Sequence, residues 1–500
     1  MLDNIFLGFG EVLTVWNLVF IFLGTTLGIL VGALPGLSSP MAIIVLLPLT
    51  YDMETIPALL VMMGVYVGTK LGGSFSAILL RTPGTPASAC TALDGYPMGQ
   101  KGEAGKALGY ATMGSTVGGV FGWIIAVTSI PLLAKIAVKS SNADIALIAI
   151  LGLVMVSAFV RGSMMRGLIG VLIGLILSTV GLDPMEATER LTFGSIDLMD
   201  GIPFTAALIG FFGIAVVLSD MEMIGRATHI VSGKVNMALP SFKDLARRWQ
   251  TLLIGGCIGT FVGAIPGVGA EGSTWLSYAV VRNKSKNPEK FGQGEPDGIL
   301  APETTNNATT GGTMVPMLTL GIPGDGSTAV MLGALILHGV EPGVMLMRTH
   351  GDLVYALLAS MLIATIFMFF IAWTAIRYFI LVLQQDRSWL FPFVLILATV
   401  GAFAISNTVF TVVVALCLGV VGYILEKRKF PVVTIVLGVI LGPIIEQNFR
   451  LALALSDGDW TTFVGTWPRQ IMFAGIVCLI SWEIYKNIQA MQGGKAKPVE

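Results

Sequence analysis

Runs of about twenty apolar residues, one after another, constrain this chain more than any other feature. A helix needs about 20 such residues to cross about 30 Å of hydrocarbon. Stretches of that kind cover 13–34, 58–80, 107–130, 143–160, 164–181 and 203–220. After a polar stretch from Met221 to Trp249, a second series covers 250–266, 313–337, 353–382, 389–404, 406–425, 430–446 and 470–487. Backbone groups in lipid must pair within the segment, so spans of this length are helical. Two shorter runs, Met41–Leu49 and Thr274–Val281, suit re-entrant hairpin arms or buried half-helices. The expectation is an all-α polytopic membrane protein with about 11–13 crossings. Charged residues make up 12%, about half the usual ~25%, too few to clothe the surfaces of soluble domains.

Other classes fall away on residue grounds. A net charge of −1 with no basic stripe argues against a nucleic-acid binder. Cys90, Cys257, Cys417 and Cys478 lie far apart in apolar settings, as core thiols do, with no metal or disulfide spacing. The N-terminus lacks a positive leader region and a cleavage site, so the first apolar run is expected to stay as a span. Gly267–Gly272 fits G-x-G-x-x-G without the βαβ context of a dinucleotide site, and Gly102–Ala107 lacks P-loop spacing. His229, His338 and His350 form no zinc-binding pair. The spacings Gly114/Gly118/Gly122 and Gly170/Gly174 mark close helix packing. No cofactor and no enzymatic activity are expected.

The chain also repeats itself. Gly32-Ala33-Leu34-Pro35-Gly36-Leu37 returns as Gly263-Ala264-Ile265-Pro266-Gly267-Val268, 231 residues later. Gly72-Gly73 returns as Gly311-Gly312, and Thr82–Ala89 is echoed by Ile322–Ala329. Ordered matches at nearly constant offset indicate two related halves: 1–220 and 250–490, joined by a polar linker at 221–249 and followed by a tail at 491–500. Residues 1–12 hold no Lys or Arg, while the approach to the second half carries Arg226, Lys234, Lys243, Arg247 and Arg248. Likewise 50–57 has none, whereas its counterpart has Arg282, Lys284, Lys286 and Lys290. Cytoplasmic loops collect such residues, so corresponding loops are expected on opposite sides, an inverted repeat of the kind secondary transporters use. Lys486, Lys495 and Lys497 favour a cytoplasmic C-terminus.

Each half holds two Pro-Gly breaks: Pro35-Gly36 and Pro83-Gly84, then Pro266-Gly267 and Pro323-Gly324. Such breaks are tolerated at membrane depth where they line a cavity. Half-helix N-termini there offer N–H groups to an anion. Polar side chains gather at the same places: Ser38, Lys70, Ser74, Thr82, Thr85 and Ser88, then Glu303, Thr304, Asn306, Asn307, Thr309, Asp325, Ser327 and Thr328. Hydroxyls and amides can hold a carboxylate, and their oxygens a hard cation. The four breaks with Ser38, Lys70, Thr82, Thr85, Asn306, Asn307, Ser327 and Thr328 form the expected substrate site. Ser74, Thr304, Asn306 and Thr309 form a candidate sodium site. Lys70 inside apolar sequence is a functional candidate in its own right. Tyr51-Asp52 with Ile322–Asp325 superficially matches an intramembrane aspartyl protease, but Pro323 replaces a motif glycine. An anion channel is the third reading.

These residues carry a family resemblance. The Gly32–Gly36 block, Leu93-Asp94-Gly95-Tyr96-Pro97, Ala301-Pro302-Glu303 with Asn306-Asn307, Pro316–Gly324, Leu441-Gly442 and Glu446-Gln447-Asn448 resemble TctA, the large membrane subunit of bacterial tripartite tricarboxylate transporters. The resemblance spans nearly the whole chain. It implies a small companion membrane subunit (TctB-like), a periplasmic substrate-binding protein (TctC-like), a location in the inner membrane, and carboxylate uptake driven by Na+ or H+. Lys70 departs from the neutral residue expected near Gly72-Gly73, which bears on substrate choice.

Overall fold

The computed structural model describes residues 2–159, 163–222, 236–383 and 390–492. Arg226, His229, Lys234, Lys495 and Lys497 lie outside them. Among the described residues, strand is confined to one antiparallel pair, Gly181–Leu182 with Glu189–Arg190. The chain is an all-α multi-pass membrane protein. Among the described residues, eight helices are long and apolar enough to span: Val15–Ala33, Thr55–Leu80, Ala92–Ala137, Asn142–Phe159, Phe204–Met221, Gly351–Leu381, Val409–Lys427 and Val432–Leu455. Met164–Ser178, Trp249–Val262 and Phe391–Ser406 are apolar but shorter. The expected span 313–337 is two helices, Pro296–Leu320 and Gly326–Leu337, because Gly321 through Asp325 break it. Extended back to Pro296, the first of these carries a polar stripe that lowers its hydropathy. Met41–Leu49 forms the short helix Ser39–Thr50, and Thr274–Val281 belongs to Gly269–Lys284.

The Pro-Gly pairs act as their chemistry dictates. Proline pushes the preceding residue out of the α region, and Leu34 accordingly ends its helix at ψ 113°. Gly36 then takes φ +97° and Gly267 φ +86°, conformations that a side chain would strain. Thr55–Leu80 ends in left-handed Arg81 and Pro296–Leu320 in left-handed Gly321, the usual way a helix turns out of its axis.

Packing divides the chain into two compact units: Met1–Val138 with Leu208–Tyr423, and Lys139–Ala207 with Ile424–Glu500. Each draws on both sequence halves, so packing groups the chain differently from a cut near 220–250. At the centre of the first unit, Thr55–Leu80 is buried from Ala58 to Leu80, and Pro296–Leu320 from Gly298 to Thr319. Small residues bring the backbones together, as lipid-embedded packing requires. Gly24, Gly28 and Gly32 lie on Val61, Val65 and Thr69, while Gly64, Gly68 and Gly72 lie on Ile21, Thr25 and Ile29. A Cβ at any of the six would stand 2.2–2.7 Å from a carbonyl oxygen. The Gly118/Gly122 positions meet Thr304 and Ala308 in the same way.

The second unit packs Asn142–Phe159, Met164–Ser178 and Val432–Leu455 around Ala146, Leu147, Val154, Met164 and Phe463. Gly174 seats against the Ile435 carbonyl. The loop after Met164–Ser178 is tied by Asp183, which accepts the Met185 and Glu186 amides and pairs with Arg450 at 2.6 Å. Arg190 and Arg450 also hold Glu446.

Candidate functional site

A polar seam runs between the two most buried helices. On Pro296–Leu320, Glu303, Asn306, Asn307, Thr310 and Thr313 recur three and four residues apart, which places them on one stripe. On Thr55–Leu80, Tyr66, Lys70 and Ser74 recur every four. The stripes face each other. Ser74 Oγ donates to Glu303 Oε1 at 2.5 Å, Asn306 Nδ2 donates to the Lys70 carbonyl at 3.1 Å, and the Tyr66 hydroxyl lies 2.8 Å from Thr313 Oγ1. Numbers rise on one helix as they fall on the other, so the helices run antiparallel.

One end of the seam is charged. Lys70 Nζ lies 3.3 Å from Asp325 Oδ2, with side chains only 5% and 14% exposed. Tyr66 donates to the same oxygen at 3.1 Å, and its ring lies 4.8 Å from the Lys70 ammonium. Asp325 also caps Gly326–Leu337: Oδ1 accepts the Thr328 N–H at 2.8 Å, and the Asp325 N–H donates to Thr328 Oγ1 at 2.9 Å. At the other end Glu303 is fully buried and accepts hydroxyls from Ser74, Thr91 and, at 2.8 Å, Ser115. Between the ends, Asn306 Oδ1 and both polar atoms of the Asn307 amide are buried without a partner. Buried polar atoms are nearly always paired. These three mark a place where a bound group would complete the hydrogen bonding.

The expected site residues divide into those on this seam and those the fold engages itself. Lys70, Asn306, Asn307 and Ser74 lie on it. Thr82 contributes another buried, unpartnered hydroxyl at the end of Thr55–Leu80. Ser38 accepts the Met41 N–H, Thr85 and Ser88 cap each other, and Ser327 is buried in the first turn of its helix. Beside Pro35, Gly36 faces Asp220, whose carboxylate oxygen would lie 2.6 Å from a Cβ there. After Pro83, the Gly84 N–H donates to the Gly73 carbonyl at 3.2 Å. After Pro266, the Gly267 N–H donates to the carbonyl of Gly324 at 2.9 Å, tying that break to Pro323-Gly324. The amides of Gly84 and Gly267 therefore hold backbone, and the N-terminus at Gly326 holds Asp325. Of the sodium candidates, Thr309 donates to the Thr305 carbonyl and Ser74 to Glu303. Thr304 and Thr309 pack on Gly255 and Gly263, while Ser74 and Asn306 line the seam, so the four oxygens do not converge. Asp52 is exposed, and Asp325 is engaged by Lys70, Tyr66 and Thr328, so the proton-sharing dyad of an aspartyl protease is not formed.

Thr91, Ser115 and Tyr66 escaped the sequence reading. Tyr66 was within reach through its four-residue spacing from Lys70. Thr91 and Ser115 carry no local signal, because only the tertiary fold brings them to Glu303. Arg81 stands off the seam, lining a cavity of about 470 Å³ with Pro83, Tyr96, Gln100 and Gly292.

A multi-pass bundle with broken helices around a buried, incompletely paired polar seam has the construction of a membrane transport protein. The Tripartite tricarboxylate transporter TctA family matches residues 18–437, and the chain belongs to that family. It is thus the membrane component of a tripartite tricarboxylate transporter. Over 96% of both chains it is 34% identical to an uncharacterized 52.8 kDa protein in the TAR-I ttuC′ 3′ region of Agrobacterium vitis. A second Agrobacterium vitis protein, in the TAR-II ttuC′ 3′ region, is 35% identical over 44% of this chain and 92% of its own length. No solved structure matches.

Proposed function

We propose that this chain carries a small organic carboxylate of the dicarboxylate or tricarboxylate class across the bacterial inner membrane. Uptake is coupled to a cation gradient and served by a small membrane subunit and a periplasmic binding protein. The observation that supports this most directly is the row of unpartnered amide atoms on Asn306 and Asn307, fully buried beside Lys70. An amide offers both donor and acceptor groups, and Lys70 can answer a carboxylate when Asp325 yields. The broken helices gather polar groups within the bundle, and alternating access follows from an elevator-like movement of one bundle against a scaffold.

The test is uptake of labelled citrate and succinate into proteoliposomes holding the chain with its companion subunits. Asn307→Ala is expected to lower uptake at least about tenfold, the equivalent of about 1.4 kcal/mol, while the melting temperature in detergent stays near wild type. Unchanged uptake kinetics for alanine at both 306 and 307 would remove the amides from the site. Flux of either carboxylate that persists without any cation gradient and never exceeds its own gradient would make the protein a channel.

A further inference from the structure

Glu303 sits in the interior of the bundle and its carboxylate accepts only hydroxyls: Ser74 and Thr91 on Oε1, Ser115 on Oε2. Among the described residues no cationic side chain lies within ion-pair distance of it. Several ionisable groups on the elements packed around it are engaged elsewhere. Lys70 pairs with Asp325, and Tyr110 donates to Asp244. Asp94 accepts the Tyr278 hydroxyl and the amides of Gly292, Gly294 and Glu295. Cys90 points at the Thr274 carbonyl, and Cys257 and Glu271 lie on the neighbouring Trp249–Cys257 and Gly269–Lys284 helices. A lone ionised carboxylate in a low-dielectric interior is costly and takes up a positive charge when one is offered.

The spacing of the oxygens bears on which charge. A hard cation such as calcium stands about 2.3–2.6 Å from each ligand oxygen, and sodium is of similar size. Oxygens sharing it at right angles would be about 3.3 Å apart or more. Here Ser74 and Ser115 donate directly to the carboxylate through O–H···O contacts. A proton needs no such room. Hydroxyls also reorient freely, so the same three can donate to the carboxylate or accept from the acid. The cluster is built from three separate stretches of chain: Ser74 on Thr55–Leu80, Thr91 beyond the Pro83-Gly84 break, and Ser115 on Ala104–Ala137. A movement of the break against either helix alters the clasp and the ease of ionisation with it.

Building on the carrier reading above, we propose that Glu303 is the proton-binding site through which transport is coupled to H+. The carboxylate gains H+ from the side with the higher proton concentration, keeps it as the neutral acid donating to one of the three hydroxyls, and releases it on the other side. One proton enters and one leaves in each cycle, with no other reactant.

Two measurements on the full chain test this. The first is infrared difference spectroscopy against pH, which needs no substrate. Wild type is expected to show a protonated-carboxyl band as pH falls, lost in Glu303→Gln and moved to higher wavenumber in Ser115→Ala, where the acid's carbonyl loses a donor. Replacing sodium by choline should leave the band in place. The second is citrate uptake driven by a pH gradient alone, in proteoliposomes with the companion subunits. It is expected to be lost in Glu303→Gln and regained in part by Glu303→Asp. A spectrum with no Glu303 band at any accessible pH, or a band that sodium abolishes, overturns the proposal, the second outcome making the cluster a sodium site. Wild-type chain that shows the band yet moves neither citrate nor succinate would leave the proton site standing and sink the carrier reading for those substrates.

Discussion

Lys70 illustrates how little slack a single charged residue has inside such a bundle. Its ammonium is buried against Asp325 and lies over the Tyr66 ring, so among the described residues each charge has one partner of opposite sign and little exposure to water. Removing one member of a buried pair strands the other, at a cost of about 3–5 kcal/mol. Lys70→Met is therefore expected to lower the unfolding free energy in detergent by about 3 kcal/mol, the lower end of that range because Asp325 keeps some exposure. Adding Asp325→Asn should restore more than half of the loss. Asparagine still caps Gly326–Leu337 by accepting the Thr328 N–H, and it leaves no charge unpaired. If denaturant titration finds the double variant less stable than Lys70→Met, the pair is not the main bond between the Thr55–Leu80 helix and that cap. From the sequence, Lys70 stood out for its rank in apolar surroundings, but its partner 255 positions away did not. Nothing local joins Asp325 to it, and the sequence shows Asp325 only as one of the polar residues beside Pro323-Gly324.

At the scale of elements, the Pro-Gly breaks were legible as breaks and their occupants were not. Proline and glycine announce where a helix stops, because donor loss and dihedral freedom are properties of the residue itself. What approaches the exposed backbone is decided by folding. Gly84 is small because the Gly32 carbonyl is there: a Cβ would stand 1.9 Å from its oxygen. Gly324 is small because Thr313 lies 2.7 Å from the same position. Gly84→Ala is therefore expected to destabilise by about 1–3 kcal/mol through overpacking. Gly10→Ala, in an exposed helical position with nothing within 4 Å, should instead stabilise, by up to about 1 kcal/mol through helix propensity. Equal melting temperatures for the two variants would show that the break relaxes freely.

The hairpin loop of the second unit offers a pH test at the same scale. The Glu186 and Met185 amides, and then the Arg450 guanidinium, hold the Asp183 carboxyl down from 3.8 to about 2. A carboxyl lowered in the folded state stabilises it above its unfolded pKa and loses that contribution as pH falls through the folded one. Hydrogen exchange of the Met185 and Glu186 amides is thus expected to quicken as pH drops from about 4 towards about 2, after correction for the intrinsic rate. Asp183→Asn should flatten that dependence, and a pH profile identical to wild type would detach the loop from this carboxyl.

For the whole molecule, the arrangement that matters is the sense in which matched helices run. Thr55–Leu80 and Pro296–Leu320 stand at equivalent places in the two repeated sequence blocks, and Gly72-Gly73 and Gly311-Gly312 fall within them. Their contacts pair Tyr66 with Thr313, Lys70 with Asn306 and Ser74 with Glu303, an antiparallel order. Antiparallel helices start at opposite ends of the bundle. Glu54, just before the first helix, and Lys286, ten residues before the second, are both exposed. By the charge rule, Arg282, Lys284, Lys286 and Lys290 predict a cytoplasmic second loop, and the antiparallel order then predicts that Glu54 lies outside. Such sidedness is what an inverted repeat predicts, and it is tested by labelling single cysteines after the four native ones are replaced. In oriented membranes an impermeant maleimide added from outside is expected to modify Glu54→Cys and spare Lys286→Cys until the membrane is opened. Labelling of both from one side would mean that at least one of the two helices does not cross, and the inverted reading would fail with it. Opposite labelling would place the seam where each half contributes one of two oppositely directed helices, so that a motion exposing one end of it closes the other.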